Sequence, residues 1–315
     1  MTTVGIDIGG TKVLGVALDD TGAVLADYRS PTPEGRHAIV EVAATVVESL
    51  GAVIERPPNA VGVGAAGLVD RSGVLVHAPN IGNIRSFELA SGLRTRLAGL
   101  PVVVDNDATC AAAGERAAGS ARGADEVVVV TLGTGIGGGV VTSGRVLRGA
   151  HGFGGEIGHM VVDPSGPACP CGRRGCWERY ASGSGLGRLA REAAHAGQAP
   201  ALVELAGGDP EMVRGEHVTA AATSGDEGAL AVVASFAWWL ALGLSNLAEL
   251  LDPEVFVLTG GMVEAGEVLL EPTREAFDRL ALVGTRRPPV RIVEAALGEK
   301  AGAVGAGVLA KELLR

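Results

Sequence analysis

Aromatic residues make up only 3% of this 315-residue chain, cysteine occurs four times, and basic residues number 26 against 36 acidic ones. Each shortage excludes something. With few aromatic rings, the core must come from Val, Leu and Ala, which suits an α/β fold of packed layers. Four cysteines are too few for a disulfide scaffold in a chain this long. A formal charge of −10 leaves no surplus for the basic face that nucleic-acid binding needs, so no nucleic-acid partner is expected. A phosphorylated ligand would then be held largely by backbone NH groups and a metal. The opening Met-Thr-Thr-Val-Gly-Ile-Asp lacks a basic segment, so a signal peptide is not expected.

What is plentiful is glycine, at 49 residues, within a composition that is 47% apolar and 20% charged. That composition describes a folded globular chain with many tight turns, and its length suits about two domains. One stretch, Ala229 to Leu251, is long enough to span a membrane, with Glu249 its only charge. Ser245, Asn246 and Glu249 interrupt it, and its flanks, Asp226, Glu227 and Asp252, are acidic where a cytoplasmic anchor would be basic. It is expected to be a buried core helix in a soluble, cytoplasmic protein with no membrane partner.

Turn and periodicity signals predict strands at Val4–Ile8, Lys12–Leu18 and Ala23–Asp27, then a helix from about Glu34 to Glu55. Strands follow at Ala60–Ala65, near Val74–His77 and at Pro101–Asp105, with a helix around Phe87–Leu97. The pattern then restarts. Glu126–Leu132 reads as a strand, Gly133–Gly139 as a glycine loop, and Val140–Thr142 and Arg145–Leu147 as a hairpin. The spacing from loop glycine to turn glycine is 13 residues in the first half (Gly9 to Gly22) and 11 in the second (Gly133 to Gly144). An internal duplication is expected, with a glycine loop on each wall of a cleft. Later strands are predicted at Val255–Leu258 and Val290–Val293, and a last helix at Ala301–Leu314, placed to cross back to the first half. The stretch 197–225 carries no legible motif.

Three glycine turns suggest phosphate binding. In Asp7-Ile8-Gly9-Gly10-Thr11-Lys12, successive NH groups can curl around an anion, and Asp7 can hold a hydrated magnesium ion beside it. Gly133-Thr134-Gly135 and Gly260-Gly261 repeat the theme after later strands. None fits the Walker pattern or a dinucleotide-binding fingerprint. Asp105-Asn106-Asp107 closes a strand before a helix, where a carboxylate can act as a general base; capping that helix is the competing role for Asp107.

Cys169-Pro170-Cys171-Gly172-Arg173-Arg174-Gly175-Cys176 puts three thiols in eight residues. Thiolates this close can share one zinc ion, which takes a fourth nitrogen or sulfur ligand. His159 is the nearest histidine; His151 and Cys110 compete with it. Saturation by protein ligands would make the metal structural. Glu156, His159 and Glu178 bracket the knuckle, where pinned loops would aim them at one space.

Together, Asp7–Lys12, the Gly133–Gly139 loop, Gly155–His159 and Cys169–Glu178 resemble the ROK family of sugar kinases and sugar-responsive repressors, and most of all its zinc-containing glucokinase branch. The motifs extend from Asp7 to Met262 and are matched throughout. The resemblance implies a duplicated actin-like, ribonuclease-H-like α/β fold of two lobes that close on their substrates. The small lobe would be 1–108 joined by 301–315, the large lobe 109–300 with the zinc knuckle. It implies Mg-ATP-dependent phosphorylation of glucose to glucose 6-phosphate by a homodimer or homotetramer, with Asp107 as catalytic base. Gly67, Asn80, Asn106, Glu156, His159 and Glu178 would bind the sugar. Asp7, Gly9, Gly10, Thr11, Lys12, Gly133, Thr134, Gly135, Gly260 and Gly261 would line the nucleotide. His159, Cys169, Cys171 and Cys176 would hold structural zinc, the histidine serving metal and sugar through different ring nitrogens.

The family's other members set the alternatives. Another hexose or hexosamine (N-acetylmannosamine, fructose, allose) is the main one, and polyphosphate is an alternative donor. A repressor would need a DNA-binding segment ahead of Asp7, where the sequence has six residues, and a zinc-stabilised interaction module would have no use for Asp107 beside the glycine loops.

Overall fold

The computed structural model describes residues 1–282 and 288–314. The chain divides into two compact units. One comprises Met1–Val129, Gly139–Gly155 and Ala295–Arg315; the other comprises Val130–Gly138 and Glu156–Glu294. This division differs from lobe boundaries at 108/109 and 300/301. The helix Asp107–Ala118 packs on the helix Ala301–Glu312, which keeps both in the first unit. The expected large lobe includes residues 283–287, and the expected return segment ends at Arg315; these lie outside the described residues.

The first unit is built on a five-stranded sheet. Strand β1 (Thr3–Ile8) pairs antiparallel with β2 (Lys12–Leu18), which pairs antiparallel with β3 (Val24–Pro31). On its other edge β1 pairs parallel with β4 (Ala60–Ala65), which pairs parallel with the strand Val102–Asn106. Alternating branched side chains on β1 and β4, including Val4, Ile6, Ile8, Val61 and Val63, pack with helix α1 (Arg36–Val53) in one buried cluster. The helix Ala301–Glu312 covers β1 and β4 as well, and it does so backbone to backbone. A Cβ on Gly62 would lie 1.8 Å from the Ala306 carbonyl oxygen, and one on Gly305 would lie 1.6 Å from that of Cys110. Glycine is the only residue that permits such contact. A small antiparallel sheet, Leu68–Val69, Leu75–Ala78 and Ile84–Phe87, also belongs to this unit; only its middle strand was legible in the sequence.

The internal duplication is visible in strand order. The first sheet runs third, second, first, fourth, fifth along the chain, and so does the other: Arg145–Val146, Ile136–Thr142, Val127–Leu132, Val255–Thr259, Arg291–Glu294. One prediction needs correction here. The glycine loop ends at Gly135, and Ile136–Gly139 already form strand. Gly137 to Gly139 read as loop because three glycines carry no pattern. Gly139 is glycine for packing, since a Cβ there would lie 2.2 Å from the Ala108 carbonyl oxygen.

In the second unit, the apolar stretch is the helix Glu227–Leu251, capped by Asp226, whose carboxylate accepts from the Ala229 NH at 2.8 Å. It packs against the helices Gly183–His195, Gly215–Thr223 and Glu267–Leu280. Val232, Phe236, Leu240 and Leu244 are buried, so it is a core helix of this unit despite a length and apolarity that would allow a membrane span. The motif-poor stretch 197–225 forms the helices Pro200–Leu205 and Gly215–Thr223 with a short 3₁₀ turn between them.

Candidate active site

In the first unit, parallel pairing aligns Ile8, Ala65 and Asn106 at the carboxyl ends of three strands. Ligands of open α/β sheets bind at such ends. The turn from Asp7 to Lys12 closes with a bond from the Gly9 NH to the Lys12 carbonyl at 3.0 Å. The same turn is tied down by the Thr32 hydroxyl, which donates to the Gly9 carbonyl at 2.7 Å. Gly10 brings it against the Asn80 backbone; a Cβ on Gly10 would lie 2.8 Å from the Asn80 carbonyl oxygen. Lys12 Nζ lies 2.6 Å from Glu299.

The segment Asp105–Asp107 divides its roles among three residues. Asn106 is the helix cap, its Oδ1 accepting from the Thr109 NH at 3.0 Å. Its Nδ2 donates to the Gly67 carbonyl at 3.1 Å and to Asp107 Oδ1 at 2.9 Å. The capping role considered for Asp107 therefore belongs to its neighbour, and Asp107 sits in the first helical turn, where the helix dipole favours an anion. Asp105, only 5% exposed, pairs with Arg148 at 2.5 Å. Burial, reinforced by the Asp107 charge and opposed by Lys12, pushes the Asp7 carboxyl up to about 7.

In the second unit, His159, Cys169, Cys171 and Cys176 place their ligand atoms within 4.8 Å of one another. Cys171 Sγ and Cys176 Sγ are 3.6 Å apart, and Cys169 Sγ lies 3.8 Å from His159 Nδ1. A zinc tetrahedron with Zn–S bonds near 2.3 Å has edges of about 3.8 Å, so the donor set fits zinc in kind, number and spacing. The other candidates for fourth ligand, Cys110 and His151, belong to the first unit. Burial opposes ionisation of Cys171, but hydrogen bonds from Arg173 and the neighbouring thiols pull it down to about 6. The knuckle is braced by the bridges Val161–Cys176 and Ala168–Arg174, and Trp177, fully buried, donates to the Trp239 carbonyl at 2.8 Å.

The expected sugar-binding trio surrounds this knuckle. His159 turns Nδ1 to the cysteines and Nε2 to Glu156, 4.0 Å away. Glu178 Oε1 lies 3.0 Å from Cys169 Sγ and 3.6 Å from His159 Nδ1. Loss of water raises the pKa of Glu156, Glu178 adds to the rise, and His159 opposes it.

The same unit holds a cavity of about 360 Å³ lined by Leu132, Gly133, Thr134, Gly183, Ser184, Gly261 and Met262. Of the expected nucleotide residues in this unit, Gly133, Thr134 and Gly261 line it. Gly183 and Ser184 escaped the sequence reading. They open the helix Gly183–His195 and brace the glycine loop: the Gly183 NH donates to the Gly133 carbonyl at 2.8 Å, and the Ser184 hydroxyl to that of Thr134 at 2.8 Å. The alternation Ser182-Gly183-Ser184-Gly185, a capped helix start rich in NH groups, was the available signal.

Comparison with known proteins agrees over the whole length. The ROK family profile matches residues 3–313. A glucokinase of Streptomyces coelicolor is 42% identical over 313 residues, covering 98% of each chain. The crystal structure of a ROK family glucokinase from Streptomyces griseus in complex with glucose and AMPPNP superimposes with a TM-score of 0.84 at 40% identity, covering 99% of this chain and all of the other. The ROK hexokinase of Thermus thermophilus gives 0.83 at 34% identity, covering all of this chain and 99% of the other. With its duplicated sheets, its glycine turns and its Cys/His cluster, the chain belongs to the ROK family.

Proposed function

We propose that this protein phosphorylates glucose at its 6-hydroxyl with Mg-ATP, working in the cytoplasm as a homo-oligomer. The observation that carries the sugar-kinase reading is the His159 ring, whose two nitrogens face different tasks: Nδ1 the cysteine cluster, Nε2 the carboxylate of Glu156. A metal ligand that also presents a polar edge gives a sugar a rigid, stereospecific rim. The choice of glucose is supported by full-length similarity to the Streptomyces glucokinases, one of them in complex with glucose and AMPPNP.

Asp107 takes the proton from the attacking hydroxyl, its carboxylate oriented by Asn106. Glu156, His159 and Glu178 hold the other hydroxyls, with Asn80 and the Gly67 backbone as further contacts. The Asn106 side chain is already committed to three protein partners, so its contribution to sugar binding runs through Asp107 and Gly67. The Gly9–Lys12 turn, the Gly133–Thr134 loop and Gly260–Gly261 would cradle the nucleotide with the backbone NH groups not used to close those turns, and Asp7 would hold its magnesium. Phosphoryl transfer needs alignment and charge neutralisation more than covalent help from the protein, and this inventory supplies both. Zinc held by His159 and the three cysteines would tie the 156–159 turn to the 169–178 loop. Steady-state phosphorylation of a sugar panel tests the reading; no phosphorylation of any hexose overturns it.

A further inference from the structure

The third glycine of the second loop has a neighbour that a phosphate loop does not require. A Cβ on Gly135 would lie 2.6 Å from Glu178 Oε2 and 3.7 Å from its Cδ, and no other atom lies within 4 Å. The Gly135 backbone angle lies outside the left-handed region, so an alanine is conformationally acceptable there. What forbids a side chain at 135 is one carboxylate. On its other side Glu178 has little free space, since its second oxygen lies 3.0 Å from Cys169 Sγ and 3.6 Å from His159 Nδ1. It is wedged between a glycine of the loop and the cysteine cluster.

We infer that Gly135 is a positioning residue for the sugar: it leaves room for the Glu178 carboxylate, and through it sets the affinity and stereochemical preference of the sugar site. This inference rests on the sugar-kinase reading above and reassigns one residue within it. Gly133 and Thr134 line the neighbouring cavity, whereas Gly135 does not. Consecutive residues of one loop therefore serve opposite substrates.

The test is a kinetic double-mutant cycle on the full-length enzyme, with Gly135→Ala, Glu178→Asp and the pair. Shortening the acid by one methylene withdraws it from the added methyl group, so the two changes should compensate. Gly135→Ala should raise the KM for glucose about tenfold, as expected for one displaced charge-assisted hydrogen bond. The KM for ATP should stay within about twofold. The double variant should match Glu178→Asp alone within about twofold, because the methyl group then has nothing left to displace. Melting temperature and zinc content of Gly135→Ala should equal those of the wild type. A rise in KM for ATP with glucose unaffected, or additive losses in the double variant, overturns the inference while leaving the kinase reading standing. A wild type that phosphorylates no sugar overturns both.

Discussion

The Asn106 carboxamide caps the helix that follows it with one atom and grips Asp107 with the other: Oδ1 accepts from the Thr109 NH at 3.0 Å, and Nδ2 donates to Asp107 Oδ1 at 2.9 Å. The Ala108 NH donates to the same Asp107 oxygen at 2.9 Å. Helix initiation and orientation of the proposed base are thus one device. Asp107→Asn is expected to lower kcat by roughly 10²–10⁴-fold, the usual worth of a positioned general base. Binding of glucose, measured calorimetrically, should change far less. Activity within a few-fold of wild type would move the base elsewhere.

Zinc is expected at one ion per chain. Removing it with a strong chelator should lower the melting temperature, since a structural site contributes its binding energy to folding. It should also raise the KM for glucose more than that for ATP, because His159 and Glu178 flank the cluster. Elemental analysis of purified protein that finds no zinc contradicts this.

Glu115 marks a second anchor, one with no chemistry. It is fully buried, and its carboxylate accepts from the NH groups of Ser120 at 2.8 Å, Ala296 at 3.1 Å and Leu297 at 2.9 Å. It thereby fixes the approach to the helix Ala301–Glu312. Glu115→Ala leaves those donors unpaired, at about 2–5 kcal/mol by analogy with broken buried charge networks. Urea unfolding followed by circular dichroism reads this as a lowered midpoint; an unchanged midpoint refutes it.

Asp7 gives a pH dependence with a definite sign. Its folded pKa is raised from 3.8 to about 7, so the native state holds a proton that the unfolded chain releases between those values. Its contribution to stability therefore falls as pH rises from about 4 to 7 and is level above that. In magnesium-free buffer, Asp7→Asn should flatten this part of the stability profile and be more stable than wild type at pH 8, on the order of 1–4 kcal/mol. A variant with the wild-type slope would show that Asp7 is not the group responsible.

What the sequence made legible follows from which physics is local. Strands β1, β2 and β4 match their predicted spans to within one residue because alternation and turn glycines are short-range signals. The Cys169–Cys176 spacing likewise announces a metal cluster with His159 as its expected fourth ligand, and the structure brings these four ligand atoms within 4.8 Å of one another. Residues defined by partners far along the chain stayed hidden: Glu115 meets Ala296 and Leu297, and Arg148 meets Asp105. Glycines were the hardest to assign. Gly133 turns a loop, Gly139 packs a strand against a helix, and Gly135 makes room for a carboxylate, yet all three occur in one run of sequence.

The central claim is tested most directly by kcat/KM for glucose, mannose, fructose, allose and N-acetylmannosamine, each with saturating Mg-ATP and again with polyphosphate. One inverted hydroxyl should leave a polar group of the Glu156, His159 and Glu178 rim unpaired, at about 1–3 kcal/mol or roughly 10–150-fold in kcat/KM. The account predicts glucose with Mg-ATP as the best pair by at least that margin; a higher value for any other sugar, or for polyphosphate as donor, would contradict it.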